Sequence, residues 1–266
     1  MIRSMHDELL KLRRPVIIYG AAGAMLGFAP LATVLTYATA TTAAATSFVG
    51  GDSLTSTVGQ LGQSGGLTRG FTIAAGFIGL LVFVLFTTSM TSEYGAGTIR
   101  VLLLKQPRRA RLLAGKLLAL LACVAAVLLA AELLSAAAAI VLAHTRGIPT
   151  ASWFSAAGLG HIAGDYANAV LVASLFGALG MTLGVLTRST PLALGIGLAW
   201  LAPLEHLIQL SWSGAGNWLP GLVFDAVAAG GNTITSYPRA LITALAYAAL
   251  ALAVGTLSFL RRDVSV

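Results

Sequence analysis

Long runs of apolar residues alternate with short polar segments along the chain. Six of these runs reach the roughly 20 residues that a helix needs to cross the hydrocarbon core of a bilayer. Four are free of charged residues, one is interrupted only by Glu132, and the weakest carries Glu205 and His206 near its end. The pattern predicts six membrane-spanning helices, at about 16–38, 70–92, 117–143, 166–187, 190–210 and 240–260.

The composition supports the same interpretation. Only 9% of the residues are charged, 57% are hydrophobic, and the mean hydropathy is +0.88. A soluble domain carries roughly 25% charged residues. Too few polar groups remain to cover a globular surface, so lipid must solvate much of the protein. We therefore predict an all-α integral membrane protein in which residues 1–266 form a single transmembrane domain.

The positions of the basic residues predict how the chain is oriented. Lys and Arg collect on the cytoplasmic side of membrane helices. With six spans and a cytoplasmic N-terminus, thirteen of the sixteen basic residues lie inside, and only Arg69, Arg146 and Arg239 lie outside. Both termini are thus predicted to be cytoplasmic. This topology, together with anionic lipid headgroups, explains the net charge of +7 without invoking nucleic acid.

Three segments outside the predicted spans differ in character. Residues 1–14 repeat an apolar residue every three or four positions among basic ones, which predicts an amphipathic helix in the membrane interface; an ordinary basic flank is the alternative. Residues 211–239 form a predicted extracellular loop that is too apolar to be free, so a short helix is expected at, or dipping into, the outer interface. Residues 39–69 are small and polar, have little to bury, and are expected to be partly mobile.

The chain shows no motif for catalysis or metal binding. A phosphate-binding loop needs Gly-Lys followed by Ser or Thr. The Gly115-Lys116 pair is followed by Leu117, and the chain has one cysteine, Cys123, and four scattered histidines. We predict no catalytic site, no metal site and no cofactor in this chain.

Residues 93–116, between the second and third predicted spans, hold seven charged residues. Two glycines let the chain turn after the second span, and Ile99, Leu102 and Leu103 then form an apolar stripe at helical spacing. Pro107 ends or bends this run. The pattern predicts a short cytoplasmic helix with an exposed apolar face, which a monomer rarely leaves in water. Either lipid or a groove on another protein would cover it.

The same segment resembles the loop of ABC transporter permeases of the ABC-2 exporter class. Their pattern is Glu-x-x-x-Gly-Thr-x-Arg, a leucine pair, a proline with a basic residue, and a lysine that opens the third span. Residues 184–200 are also similar to the turn between spans four and five in actinobacterial members. In this chain the loop pattern is filled by Glu93, Gly97, Thr98, Arg100, Leu102, Leu103, Pro107, Arg108 and Lys116.

The resemblance implies a division of labour. In that class two six-span permeases form the membrane pathway, and two separate ATPase subunits bind ATP and magnesium below them. An N-terminal interfacial helix and a cytoplasmic coupling helix between spans 2 and 3 touch the ATPase. The implied ATPase contacts are Glu93, Gly97, Thr98, Ile99, Arg100, Leu102, Leu103 and Lys105 in the coupling loop, and Leu9, Lys11, Arg13 and Arg14 belong to the interfacial helix.

The implied partners are therefore an ABC ATPase, a second permease copy (identical or a sister chain), membrane lipids and an unspecified substrate, in a bacterial cell membrane. Within the loop, Arg100 and Lys105 are expected to pair with acidic groups of the ATPase. Glu93 is expected to brace the loop against Arg100 or Arg108.

Carboxylates within predicted spans are the remaining candidates. A charge at the bilayer centre costs about 2.5–3.5 kcal/mol on insertion scales, and such groups usually face a bundle interior or water. Glu132, Glu205 and the adjacent His206 are candidate pathway residues, with structural pairing as the alternative. The leading prediction is the permease subunit of an ATP-driven exporter. The alternatives are a proton-coupled secondary transporter that uses Glu132 or Glu205, and a membrane scaffold that transports nothing.

Overall fold

A computed structural model describes residues 15–41, 56–99 and 109–261. These ranges contain no β-strand and are built from α-helices joined by short turns. The helices are α1 (Pro15–Ala38), α2 (Val58–Leu61), α3 (Arg69–Gly95), α4 (Arg109–Arg146), α5 (Ala156–Thr187), α6 (Thr190–Ala199), α7 (Glu205–Ser211), α8 (Pro220–Ala228) and α9 (Tyr237–Arg261).

Six segments of the described chain are long and apolar enough to cross a membrane: α1, α3, α4, α5, the continuous rod of α6 and α7, and α9. The predicted all-α class and the six spans are therefore confirmed. Several helices continue past their apolar segments. The longest, α4, has 38 residues and measures about 57 Å, well beyond the roughly 30 Å of a hydrocarbon core.

The centre of the bundle is the contact between α3 and α5, the two most buried spans. Glycines 177, 180 and 184 of α5 face α3, and a Cβ atom on Gly180 would lie only 2.6 Å from the Phe83 carbonyl oxygen. Small residues of this kind let two membrane helices approach closely. The Thr87 hydroxyl donates to the Gly180 carbonyl at 3.1 Å across the same contact. Around this pair, α1 and α4 pack together, α1 also contacts α3, and α9 packs against α5.

The fifth span is not a regular helix. Between α6 and α7 the chain makes a π-helical turn, Trp200–Leu204, that contains Pro203. The Glu205 N–H donates to the carbonyl of Trp200, five residues back, as a π turn requires. Such turns insert one extra residue into a helix and are frequent at functional sites. Here the turn lies directly before Glu205.

Residues 56–68 form a packed cap at the end of the bundle opposite the loop between α3 and α4. Leu61 is fully buried beside Trp153, whose indole N–H donates to the Leu61 carbonyl at 2.9 Å, and the Tyr37 hydroxyl donates to the Gly66 carbonyl at 3.0 Å. The expectation that residues 39–69 have little to bury is wrong for this part. The aromatic rings that cover it come from α1 and from the segment before α5. The sequence of residues 39–69 alone does not show that these distant rings pack against it.

The predicted short helix of residues 211–239 is α8. It packs against α3, α5 and α9, with Val223 and Phe224 fully buried, and the Phe224 ring meets Phe176 edge-on at 5.1 Å. Trp212 and Trp218, which flank the segment before it, are about half exposed. The apolar residues of this loop thus fall into two groups, those buried in α8 and the two partly exposed tryptophans.

Candidate functional site

The two ends of the loop between α3 and α4 are held together by a buried ion pair. The Nζ atom of Lys116, a side chain only 1% exposed, lies 2.9 Å from Oε1 of Glu93. The same Nζ atom donates to the carbonyl oxygen of Ser89 at 2.6 Å. A buried ammonium group is tolerated only when it is paired and hydrogen-bonded. We call Glu93, Lys116 and the Ser89 carbonyl the loop clasp.

Two further contacts join the end of α3 to the turn between α5 and α6. The guanidinium of Arg188 lies over the ring of Tyr94, 5.3 Å from its centroid, in a cation–π arrangement. Arg188 ends α5 in the left-handed conformation, with φ 54°. One turn earlier in α3, the hydroxyls of Thr91 and Thr190 are hydrogen-bonded at 2.6 Å. The start of the fifth span is therefore tied directly to the base of the loop.

A third connection reaches the last helix. Arg109, the first residue of α4, donates through Nη1 to the carbonyl oxygens of Phe259 and Leu260 at 3.1 and 3.3 Å. These carbonyls belong to the last turn of α9, where helical backbone acceptors lack partners and a positive charge is favoured. The residues at the base of the loop therefore contact α4, α6 and α9.

The described part of the coupling loop ends at Ile99. Gly97 has a φ of 64°, a conformation that glycine adopts readily, so the turn predicted there is present. The Thr98 hydroxyl donates to the Glu93 carbonyl at 3.4 Å in the last turn of α3. Ile99 is only 2% exposed and belongs to the core of this chain, whereas the sequence pattern placed it on an exposed stripe.

The remaining predicted ATPase contacts, Arg100, Leu102, Leu103 and Lys105, lie outside the described residues. The interfacial helix with Leu9, Lys11, Arg13 and Arg14 lies outside them as well. Glu93 has an ion pair with Lys116 within the described chain, and Arg100 and Arg108, against which it was expected to hold the loop, lie outside the described residues.

Glu205 is fully buried and caps the N-terminus of α8 from a neighbouring span. Its Oε2 atom accepts a hydrogen bond from the Leu222 N–H at 3.0 Å. The residue before α8, Leu219, offers no side-chain cap, and the first helical residue is Pro220. A carboxylate at this position supplies an acceptor and a favourable charge for the helix terminus. The approach requires Gly221, because a Cβ there would lie 2.8 Å from Oε2.

Replacing Glu205 with leucine is expected to loosen α8. The Leu222 N–H would lose its acceptor in a buried site, which costs about 1–3 kcal/mol. Glu205→Gln keeps an acceptor oxygen and is the matched control. Hydrogen exchange of the α8 amides, measured by mass spectrometry, should rise in the leucine variant and change little in the glutamine variant. Equal exchange in both would mean that the cap does not hold α8.

His206 lines a cavity of about 410 Å³ between α3, α7 and α8. Its apolar wall includes Phe77, Leu80 and Phe176, and its polar wall includes Asp225 and Gln209. The Nε2 atom of His206 and Oδ2 of Asp225 are 3.9 Å apart, and both side chains are open to the cavity, at 49% and 40% exposure. Glu205 does not line this cavity, and its Oε2 atom caps α8.

Asp225 lies on α8, outside the six spans. Desolvation by the surrounding protein raises the pKa of this carboxyl to about 6, and the nearby His206 opposes that rise. The carboxyl is therefore mostly ionised at neutral pH. A cation placed beside Asp225 would favour the ionised form of its carboxyl group and so lower the pKa.

Glu132 is 3% exposed, in the middle of α4. Within the described chain its Oε1 atom has no hydrogen-bond partner, and Asp165 of α5 lies within electrostatic range. Asp165 itself accepts a hydrogen bond from the Thr68 hydroxyl at 2.5 Å. The structure therefore places Glu132 within electrostatic range of a second carboxyl, and Glu132 does not line the cavity that holds His206 and Asp225.

Several residues of the site were not singled out by the sequence. Arg188, Thr190 and Asp225 gain their roles from contacts with residues far along the chain. The sequence did single out Lys116, because it is the lysine at the end of the loop pattern. A lysine that interrupts an apolar run needs a buried partner, and Glu93 at the other end of the loop was available.

The six long apolar helices, of which α3 and α4 are joined at one end of the bundle by the loop clasp, define a multi-pass membrane protein. Residues 16–224, from α1 into α8, match the family described as ABC-2 family transporter protein, and the chain belongs to this family. A search of curated proteins found no match. The resemblance drawn from residues 93–116 is thus confirmed at the level of the ABC-2 permease family.

Proposed function

We propose that this chain is the membrane-spanning permease subunit of an ATP-driven exporter, and that a separate ABC ATPase binds the loop between α3 and α4. The loop clasp carries the proposal. A loop that only joined two spans would not need a buried ion pair at its base, whereas a loop that receives force must be fixed to the helices it moves. The chain itself has no phosphate-binding loop.

The contacts at the loop base suggest how the force is distributed. A push on the loop reaches α4 through Lys116, α6 through Thr91–Thr190 and Tyr94–Arg188, and α9 through Arg109. Because interfaces of packed helices switch between discrete arrangements, small shifts at such a point can move whole helices. ATP-driven closure of the partner would thereby rearrange the spans.

Within this proposal the loop faces the cytoplasm, as the distribution of basic residues predicts. Arg100 and Lys105 pair with acidic groups of the ATPase, Leu102 and Leu103 enter its groove, and Glu93, Gly97 and Thr98 shape the turn. Ile99 takes a different role, since its side chain is buried in this chain and anchors the loop. The interfacial helix of residues 1–14, with Leu9, Lys11, Arg13 and Arg14, lies beside the same partner.

The complete exporter contains a second permease copy, identical or a sister chain, in a bacterial plasma membrane, with both termini cytoplasmic. ATP and magnesium bind to the ATPase. The cavity lined by His206 and Asp225 lies at the end of the bundle opposite the loop, and is a candidate part of the export pathway. Glu132 remains a candidate pathway residue because of its burial beside Asp165.

Introducing two carboxylates into the loop stripe tests the partner. The combined variant Leu102→Asp and Leu103→Asp is expected to reduce co-purification of the ATPase at least about tenfold, because charged groups cannot enter an apolar groove. The measurement is quantitative mass spectrometry of the ABC ATPase that co-purifies with the tagged chain from its native membranes. Leu159→Asp, at an exposed leucine near the opposite end of the bundle, is the matched control.

Retention of the ATPase by the double variant, or the absence of any ABC ATPase beside the native chain, would contradict the proposal. Transport driven by a proton gradient without ATPase, and lost in Glu132→Gln, would favour the secondary transporter. No transport under either condition would favour a scaffold.

A further inference from the structure

The polar wall of the cavity between α3, α7 and α8 brings the Nε2 atom of His206 to 3.9 Å from a carboxyl oxygen of Asp225. The Nδ1 atom of His206 lies 2.6 Å from the carbonyl oxygen of Ala202. A carbonyl can only accept, so this hydrogen bond requires the proton to be on Nδ1. In a neutral His206 the other ring nitrogen, Nε2, is then an acceptor, and it points towards the carboxylate of Asp225.

The separation of these two atoms leaves room for one donor group that bonds both. The distance of 3.9 Å from Nε2 to Oδ2 is too long for a direct hydrogen bond, which needs about 2.7–3.2 Å. Within the described chain, the Asp225 carboxylate makes this long contact with His206 and no hydrogen bond. A group with several N–H donors placed between them would bond both.

The charge around the gap favours a cation. Asp225 lies within electrostatic range of Glu205, which adds a second carboxyl near the same wall. Arg69 is the charged residue of opposite sign that lines the cavity, and it also lies within electrostatic range of Asp165 in the neighbouring cluster. Water could bridge the two groups, whereas a ligand cation would also bring a positive charge to Asp225.

The opposite wall of the cavity is apolar and indicates that the ligand also has an apolar part. Phe77, Leu80 and Phe176 line it, and the ring of Phe176 also packs edge-on against Phe224 of α8. We infer that this cavity binds an amphipathic amine, whose ammonium group donates to Asp225 and His206 while its apolar body packs against Phe77 and Phe176. As a statement about cargo this rests on the proposed export function, whereas binding itself does not require the ATPase.

The test compares three probes of one shape: 4-phenylbutylamine, 4-phenylbutanol and 4-phenylbutyrate. Binding to the full chain in lipid nanodiscs is measured by isothermal titration calorimetry, with empty nanodiscs subtracted to remove partition into lipid. The amine is expected to bind at least about tenfold more tightly than the alcohol, the usual gain for a hydrogen bond to a charged group. The carboxylate is expected to bind most weakly.

Two variants test whether the tighter binding of the amine depends on Asp225. Asp225→Asn keeps the shape and removes the charge. Gly76→Ala keeps the charge but displaces it, since a Cβ there would lie 2.6 Å from Oδ1 of Asp225. Both should reduce the preference for the amine to about threefold or less. Gly195→Ala, at a helical glycine with no atom within 4 Å of its Cβ, should leave the preference intact.

Equal binding of amine and alcohol, no binding of the amine, or an unchanged preference in both variants would overturn the inference. Thermal unfolding of each variant shows whether the fold is retained, and Gly76→Ala keeps the test decisive if Asp225→Asn does not fold. Because the ATPase is absent from this experiment, its result is independent of the co-purification test above.

Discussion

Replacing Glu93 with leucine is expected to lower the free energy of unfolding by about 3–5 kcal/mol, the usual cost of removing one partner of a buried ion pair. The ammonium of Lys116, which is almost fully buried, would keep the Ser89 carbonyl but lose its described counter-charge. Reversible unfolding in mixed micelles measures the change. The variant should also transport poorly, because the loop would no longer be fixed to α4.

A double variant separates the effect of the unpaired Lys116 charge on stability from the effect of the lost ion pair on transport. In Glu93→Leu with Lys116→Met, both charges are replaced by apolar side chains, and such replacements are often neutral or stabilising. We expect most of the lost stability to return while transport stays low. If the double variant is destabilised by the sum of the two single effects, the ion pair is not the source of the loss.

Adding one methyl group at Gly180 is expected to destabilise the centre of the bundle. The new Cβ would meet the Phe83 carbonyl oxygen at 2.6 Å, and a helix backbone cannot yield as a flexible side chain can. Overpacking of this kind costs about 1–3 kcal/mol. The same unfolding assay measures it for Gly180→Ala.

The control lies on the same helix. A Cβ at Gly164 of α5 would have no atom within 4 Å, so Gly164→Ala changes only helix propensity and should stabilise by up to about 1 kcal/mol. Opposite signs for the two substitutions would attribute the loss at Gly180 to the contact with α3. Equal effects would mean that α3 and α5 separate enough to accept a side chain.

The spans and the family were predictable because their signals are local. Apolar runs of the right length identify helices in lipid whatever their neighbours are, and the pattern from Glu93 to Lys116 lies in one continuous segment. The weak fifth span was found for the same reason, even though its π turn was not. Hydropathy averages over the residues and does not register how the backbone is wound.

The contacts that build the site were not predictable in this way. Arg188 stacks on Tyr94 and Asp225 faces His206 only because separate spans pack side by side, and nothing in the sequence states which faces meet. Burial was also misjudged at Ile99, where helical spacing indicated an apolar face but not whether this chain or a partner covers it. The helix cap by Glu205 could not be predicted either, because its partner, the Leu222 N–H, belongs to the backbone, and the pathway role of Glu205 stays a prediction.

The π-helical turn at Trp200–Leu204 makes the fifth span sensitive to its residue count. A single deletion within these five residues would restore a regular α-helix, and every side chain after it would rotate by about 100°. Glu205 would leave the terminus of α8 and His206 would turn away from Asp225 at the same time. Any natural variant of this protein that shortens the segment by one position must therefore rebuild both the cap and the cavity wall.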